Sequence, residues 1–217
     1  MHKQDSQTSK SLKSLRAIVD NSPFEFIDPK TGKTVNTSEK TLSKQVSSSH
    51  KFSYFLFRLI NFMKYESVLE TGTSLGINTS YLGKTNASRI VTIEGSKQIA
   101  SRAESRFKKN QLTHIELVTG KVQEVFEATL RDTKPNLIFL DADHRSETIG
   151  YYLRIIKQSG LSVDCIVIHD IYWSKDMHGA WQKVIQDDDY SLTIDIFQAG
   201  IIFPDYPIEK QHFTLKF

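Results

Sequence analysis

The sequence predicts an α/β domain: a doubly wound, mostly parallel sheet of seven strands, helices on both faces, and an antiparallel C-terminal strand. Three observations predict it. Between residues 67 and 186 short apolar runs alternate with amphipathic helical patterns. Strands separated by helices pair in parallel through right-handed crossovers, because antiparallel hairpins need only tight turns. The last strand-like segments, 191–197, 200–203 and 212–217, have no helix between them, which predicts antiparallel addition at the sheet edge. Finally, 217 residues with 39% hydrophobic and 24% charged side chains suit one large domain and exclude a disordered or collagen-like chain.

The elements follow in order. Residues 1–10 read as a solvated tail, and Leu12, Leu15, Ile18 and Val19 repeat at the spacing of a short amphipathic helix. Residues 21–50 read as loop, punctuated by Pro23, Pro29, Gly32 and serines 47–49; such a segment is either a surface connection or a mobile flap. Residues 1–50 thus form an N-terminal appendage, and 51–217 the main domain. Phe52, Phe55, Leu56, Leu59, Ile60 and Met63 lie on one helix face that covers the sheet. Strands are expected at 67–70, 89–94, 114–119, 136–141 and 164–169. Helices are expected at 78–84, 97–109, 122–131, 147–158 and 176–186. No internal repeat or second domain is visible.

Charge and cysteine usage remove several classes of function. Lys3, Lys10, Lys13 and Arg16 against Asp5 account for the whole net charge of +3, so the rest of the chain is balanced and nucleic-acid binding is not expected of the body. The single cysteine, Cys165, sits in a strand-like run, cannot form an internal disulfide and reads as a core thiol. No Cys/His cluster has zinc spacing. The Ser-, Lys- and Gln-rich start lacks a signal-peptide core, and the most apolar stretch, 52–63, is too short to span a bilayer, so the expected compartment is the cytoplasm, with no membrane partner.

Ligands of doubly wound sheets bind beyond the carboxyl ends of the strands, near the topological switch point. The first strand of the main domain ends in Glu70-Thr71-Gly72-Thr73-Ser74-Leu75-Gly76, and the second ends at Glu94. Gly72 lets a ligand approach the backbone, Gly76 serves the turn into the helix, and Glu94 is placed to accept hydrogen bonds from ribose hydroxyls. A dinucleotide site wants G-x-G-x-x-G, and the third glycine is missing; G-x-x-x-x-G-K-[ST] is absent altogether. Glu70 would repel a pyrophosphate and attract an ammonium. A ligand with a ribose and an aminoacyl end but no phosphate fits best, and S-adenosylmethionine is such a ligand.

Glu70-x-Gly72-x-Ser74-x-Gly76, Glu94 and Phe139-Leu140-Asp141-Ala142-Asp143-His144 resemble the class I S-adenosylmethionine-dependent methyltransferases, above all the small O-methyltransferases related to catechol O-methyltransferase. The resemblance covers residues 50–217. It implies a Rossmann-like fold and S-adenosylmethionine as cofactor, with Glu70 and Gly72 near the methionine end, Thr73, Ser74 and Gly76 in the same cofactor-binding loop, Glu94 at the ribose, and Gly95, Gly120, Lys121 and Val122 at the adenine. Asp141 is expected beside the cofactor as well as in the chemistry. In metal-dependent relatives the metal-binding acids fall on Asp141 and Asp170, with an Asn next to the latter; this chain has Ile171 there, which weakens a Mg²⁺ site to two carboxylates. Lys121 also departs from the acid that holds the adenine amino group in many relatives.

An oxygen nucleophile must lose its proton, either to a general base or through a metal that lowers its pKa. The candidates are Asp141 and His144 after the fourth strand and His169 and Asp170 after the fifth, opening on one cleft; each histidine is otherwise a packed core residue and Asp143 a helix cap. Acceptor contacts are expected from Tyr172, Trp173, Met177, His178 and Trp181, with Trp181 in the core. The expected reaction is O-methylation of a small hydroxylated molecule. The alternatives are a non-catalytic S-adenosylmethionine-binding module, a nicotinamide-dependent oxidoreductase, or an RNA methyltransferase for which the basic tail is the only hint. The N-terminal helix is also a candidate homodimer contact.

Overall fold

Buried side chains split by parity along each central strand, and that split builds the layers. A computed structural model describes residues 3–216. In chain order its elements are α1 (Lys3–Lys13), a 3₁₀ turn (Ser14–Arg16), β1 (Phe24–Ile27), β2 (Thr34–Thr37), α2 (Glu39–Val46), α3 (His50–Met63), β3 (Ser67–Thr71), α4 (Ile77–Leu82), β4 (Arg89–Glu94), α5 (Lys97–Lys109), β5 (Ile115–Thr119), α6 (Val122–Thr133), β6 (Leu137–Leu140), α7 (Ser146–Ser159), β7 (Cys165–His169), α8 (Lys175–Gln186), β8 (Leu192–Asp195), β9 (Ala199–Phe203) and β10 (Gln211–Thr214). Val68, Ile90, Leu137, Phe139, Cys165 and Val167 face Phe52, Leu56 and Ile60 of α3. Their neighbours Leu69, Val91, Ile138, Leu140, Ile166 and Ile168 face α6, α7 and α8 through Phe126, Tyr152 and Trp181. Both faces of these strands are covered, which is why they read as continuous apolar runs.

The main sheet has the order β10-β8-β9-β7-β6-β3-β4-β5. From β3 the chain first builds outward through β4 and β5, then returns to β6 on the other side, so the switch point lies between the carboxyl ends of β3 and β6. The sheet is mostly parallel, as expected, and has eight strands where seven were expected, β10 falling on the predicted segment 212–217. Antiparallel β9 is not at the edge. It turns back from β8 and inserts between β8 and β7, while β10, reached over a longer loop, pairs parallel with β8.

The N-terminal region differs from its sequence reading. Residues 3–13 are helical, held on α3 by Tyr54, whose hydroxyl donates to the Asp5 carbonyl at 3.1 Å, and by Ser9 with His50 at 3.0 Å. The helical pattern stops short of Ile18 and Val19. Residues 21–50 hold a hairpin and a helix, not a plain loop. Asp28, Pro29 and Gly32 form the hairpin turn, with Gly32 at φ +69° and its amide donating to the Asp28 carbonyl at 2.8 Å. Phe26 and Leu42 pack with Leu12, Leu15, Leu75 and Tyr81 in a separate cluster. The hairpin strands are four residues each, too short for a periodic signal. The other residues, 1–2 and 217, include the ends of the tail and of the last predicted strand and lie outside the described residues. Among the described residues no helix is long and apolar enough to cross a membrane.

Candidate active site at the switch point

Gly72 closes the gap between the two central strands. At φ +90°, a Cβ there would stand 2.7 Å from the Asp141 carbonyl oxygen, so only glycine lets the loop after β3 meet the tip of β6. The loop amides are already engaged: Gly72 and Thr73 donate to the Ile93 carbonyl at 2.9 and 3.1 Å, Ser74 donates to Glu94 Oε2 at 2.8 Å, and Gly76 donates to the Thr73 carbonyl. Few donors remain for a pyrophosphate, which counts against the dinucleotide alternative.

Glu70 departs from its expected role. Its carboxylate is fully buried and accepts from Asn78 Nδ2 at 2.8 Å, Thr79 Oγ1 at 2.5 Å and Thr92 Oγ1 at 2.7 Å. Both oxygens are turned to α4 and β4, and neither is open to a ligand ammonium. Burial outweighs these donors and pushes its pKa up to about 7. Thr73 joins the same network through Thr92 at 2.6 Å, and Gly76 is packed on Phe107. These three residues shape the loop and do not line the cleft.

Glu94 does line it. A cavity of about 270 Å³ is bounded by Gly72, Glu94, Gly95, Lys121, Val122, Ala142, Asp143 and Tyr152. Glu94 Oε1 accepts from the Ser96 amide at 2.9 Å and Oε2 from Ser74, so two backbone donors aim the carboxylate; each oxygen keeps a free lone pair. Burial raises its pKa against the pull of those amides. Ser74, at φ +49°, therefore positions Glu94 from behind.

Pro29 and Lys30, at the hairpin turn, roof the cavity. A Cβ on Gly95 would meet Pro29 Cβ at 2.8 Å, so the small residue there makes room for the hairpin tip. Sequence reasoning missed Pro29, Lys30, Arg145 and Tyr152; the Pro-Lys-Thr-Gly turn was the one available signal. Asp143 does not cap α7. It accepts from Thr148 at 2.9 Å and pairs with Arg145 at 2.6 Å, while Asp176 takes the Ser146 amide at 2.7 Å. Burial opposes its charge, but Arg145, Thr148 and Lys30 outweigh it and lower its pKa.

The four predicted chemical groups come together beside this cavity. Asp141 Oδ1 lies 2.8 Å from His169 Nδ1 and 3.9 Å from His144 Nε2. Asp170 Oδ2 lies 3.5 Å from His169 Nδ1 and 3.7 Å from His144 Nε2. Asp170 sits at φ +55°, its amide donating to the Gln198 carbonyl at 2.7 Å, and this turn swings its carboxylate toward Asp141. Burial lowers the pKa of His144 against the two carboxylates. For His169 burial acts the same way, but Asp141 and Asp170 outweigh it and its pKa is raised. Ile171 is buried in the core and contributes no ligand.

The rim is aromatic. Trp173 is 70% exposed with its ring 6.0 Å from that of His144, whereas Met177 and Trp181 are buried, as expected for Trp181. Tyr172 stacks between His178 and Phe197. Buried Asp195 fixes this group, accepting from Tyr172 Oη at 2.7 Å, Trp181 Nε1 at 3.1 Å and the Phe197 amide at 2.8 Å. Phe197 and Asp195 were not apparent from the sequence, because they reach the site from the β8–β9 turn.

Residues 69–171 match a protein family described as a methyltransferase domain, a span running from β3 to just past β7. No curated protein matches the sequence. Solved structures with the same fold include an O-methyltransferase from Bacillus cereus in complex with S-adenosylhomocysteine (SAH), at 19% identity and TM-score 0.61, over 90% of this chain and 89% of that one. The SAH-bound methyltransferase PaMTH1 of Podospora anserina is similar at 15% identity and TM-score 0.63, over 95% and 89%. The O-methyltransferase TomG from Streptomyces achromogenes, in complex with S-adenosylmethionine, is similar at 17% identity and TM-score 0.59, over 72% and 80%. Residues 69–171 thus match a methyltransferase domain, and the chain shares the doubly wound fold of these solved structures.

Proposed function

We propose that the chain transfers a methyl group from S-adenosylmethionine to the hydroxyl oxygen of a small acceptor. The observation that carries this reading is the adjacency, at the switch point, of a cavity with an amide-aimed Glu94 and a cluster of two imidazoles and two carboxylates. The cavity fits the cofactor by its donor set: a carboxylate for ribose hydroxyls, an apolar floor at Val122 and Tyr152, and no array of free amides for phosphate. The similarly folded structures from Bacillus, Podospora and Streptomyces hold SAH or S-adenosylmethionine, which supports a cofactor of this class.

When bound, S-adenosylmethionine supplies a methyl group activated by a sulfonium. Glu94 accepts from the ribose hydroxyls. Gly95, Lys121 and Val122 border the base, with Lys121 carrying no acceptor for the adenine amino group. Gly72 and the Asp141 main chain lead toward the reacting end, where alignment of nucleophile and methyl carbon supplies much of the rate. Within the Asp141–His144–His169–Asp170 cluster an imidazole takes the acceptor proton, and Trp173 flanks the acceptor at the rim.

Transfer of an isotope-labelled methyl to a metabolite extract, read by mass spectrometry, tests the reading. Asp141→Asn is expected to lower turnover by about 10²–10⁴-fold, the usual share of acid–base catalysis, while changing SAH affinity only a few-fold. Undiminished turnover in a folded variant would remove Asp141 from the chemistry, and no labelled product from the native protein would contradict the activity.

A further inference from the structure

Metal-dependent relatives lead to the expectation of a hard, all-oxygen Mg²⁺ site, and the residues here do not fit one. Mg²⁺ takes carboxylates and waters in strict octahedral geometry. Ile171 is buried in the core, and the third donor beside Asp141 and Asp170 is an imidazole, His144. One ligand atom from each of Asp141, His144 and Asp170 lies within 4.8 Å of the others, close enough for a single ion to bridge. A second imidazole backs them. His169 is 8% exposed, and its Nδ1 has no hydrogen-bond partner although it stands 2.8 Å from Asp141 and 3.5 Å from Asp170. A buried nitrogen without an aligned partner is uncommon in a folded protein, and here it stands beside the two carboxylates.

Resting on the methyltransferase reading, we infer that Asp141, His144 and Asp170 form a cation site selective for a first-row transition-metal dication over Mg²⁺, with His169 orienting the carboxylates from behind. Imidazole suits Zn²⁺, Co²⁺ and Fe²⁺ and adds little for Mg²⁺. Outer groups that steer ligating carboxylates tune such sites, and His169 holds that place between Asp141 and Asp170. The ion would sit beside the rim Trp173, where an acceptor hydroxyl arrives, and a bound cation lowers the pKa of such a hydroxyl.

Equilibrium dialysis of chelator-treated protein against Co²⁺ and against Mg²⁺, with the visible spectrum of bound Co²⁺, tests the inference. Tryptophan fluorescence and circular dichroism check folding, and SAH is titrated on the same samples. The expected result is one Co²⁺ per chain, held at least about tenfold more tightly than Mg²⁺, in line with the ordering of divalent affinities for nitrogen-containing sites. His144→Ala and Asp170→Asn should lose the Co²⁺ spectrum, and His144→Asp should shift the preference toward Mg²⁺. Equal retention of the two ions, retention of neither by folded protein, or an unaltered Co²⁺ spectrum in His144→Ala would overturn it. SAH binding with no ion retained would sink this inference alone, whereas absent SAH binding would sink the cofactor reading.

Discussion

Glu70 is a carboxylic acid in a place that resists its charge. Burial raises its pKa to about 7, against an ordinary value of 4.5. Below pH 4.5 the group is protonated in both folded and unfolded chains. As pH rises through 4.5 the unfolded chain ionises first, so stability falls until the folded group ionises near pH 7. Native protein should therefore lose on the order of 3 kcal/mol relative to Glu70→Gln across that interval, the free energy of a shift of this size. Unfolding midpoints of the two proteins from pH 4 to 8 check this, and parallel curves would contradict it. Glu94, on the next strand and two residues beyond the level of Glu70, has the opposite lot. Its partners are backbone amides that leave lone pairs over a cavity.

At the scale of elements, the N-terminal hairpin and helices are tied to the main domain through a buried ion pair. Arg106 of α5 donates to the carbonyls of Leu75, Leu15 and Ala17 at 2.8 Å each and meets Glu39 of α2 at 3.4 Å, both side chains 1% exposed. Glu39 also accepts from the Val19 amide at 3.0 Å. Removing one partner strands a buried charge, so Glu39→Ala should cost about 3–5 kcal/mol of stability in denaturant unfolding. A change below about 1 kcal/mol would show that the pair is not what fastens the appendage. The hairpin tip rests on Gly95. Gly95→Ala pushes Pro29 away and should weaken SAH binding by at least about threefold, a fraction of a kilocalorie from an overpacked contact. Unchanged affinity would mean that the tip does not cover the bound cofactor.

At the scale of the whole molecule, the alternating architecture was legible because the central strands are buried on both faces. Segments such as Leu137–Leu140 and Cys165–His169 are fully buried, and the helices between them carry clear apolar stripes. The four groups of the cluster were legible too, since each follows the carboxyl end of a strand beside the switch point. What the sequence hides is direction and company. Glu70 and Glu94 look alike in sequence, yet Glu70 faces Thr92 across the β3–β4 register and draws in Asn78 and Thr79. The Pro29 roof and the Asp195 anchor come from segments remote in sequence, and no local pattern announces where they land.

Whether Glu94 holds the ribose of a sulfonium nucleoside is read by calorimetric titration of S-adenosylmethionine. Native protein should bind one cofactor per chain. Glu94→Ala should bind it about 1–3 kcal/mol more weakly, the worth of hydrogen bonds to a charged group, with Glu94→Gln in between. Equal affinity in the native protein and a folded Glu94→Ala, or no heat from the native protein at all, would contradict that role.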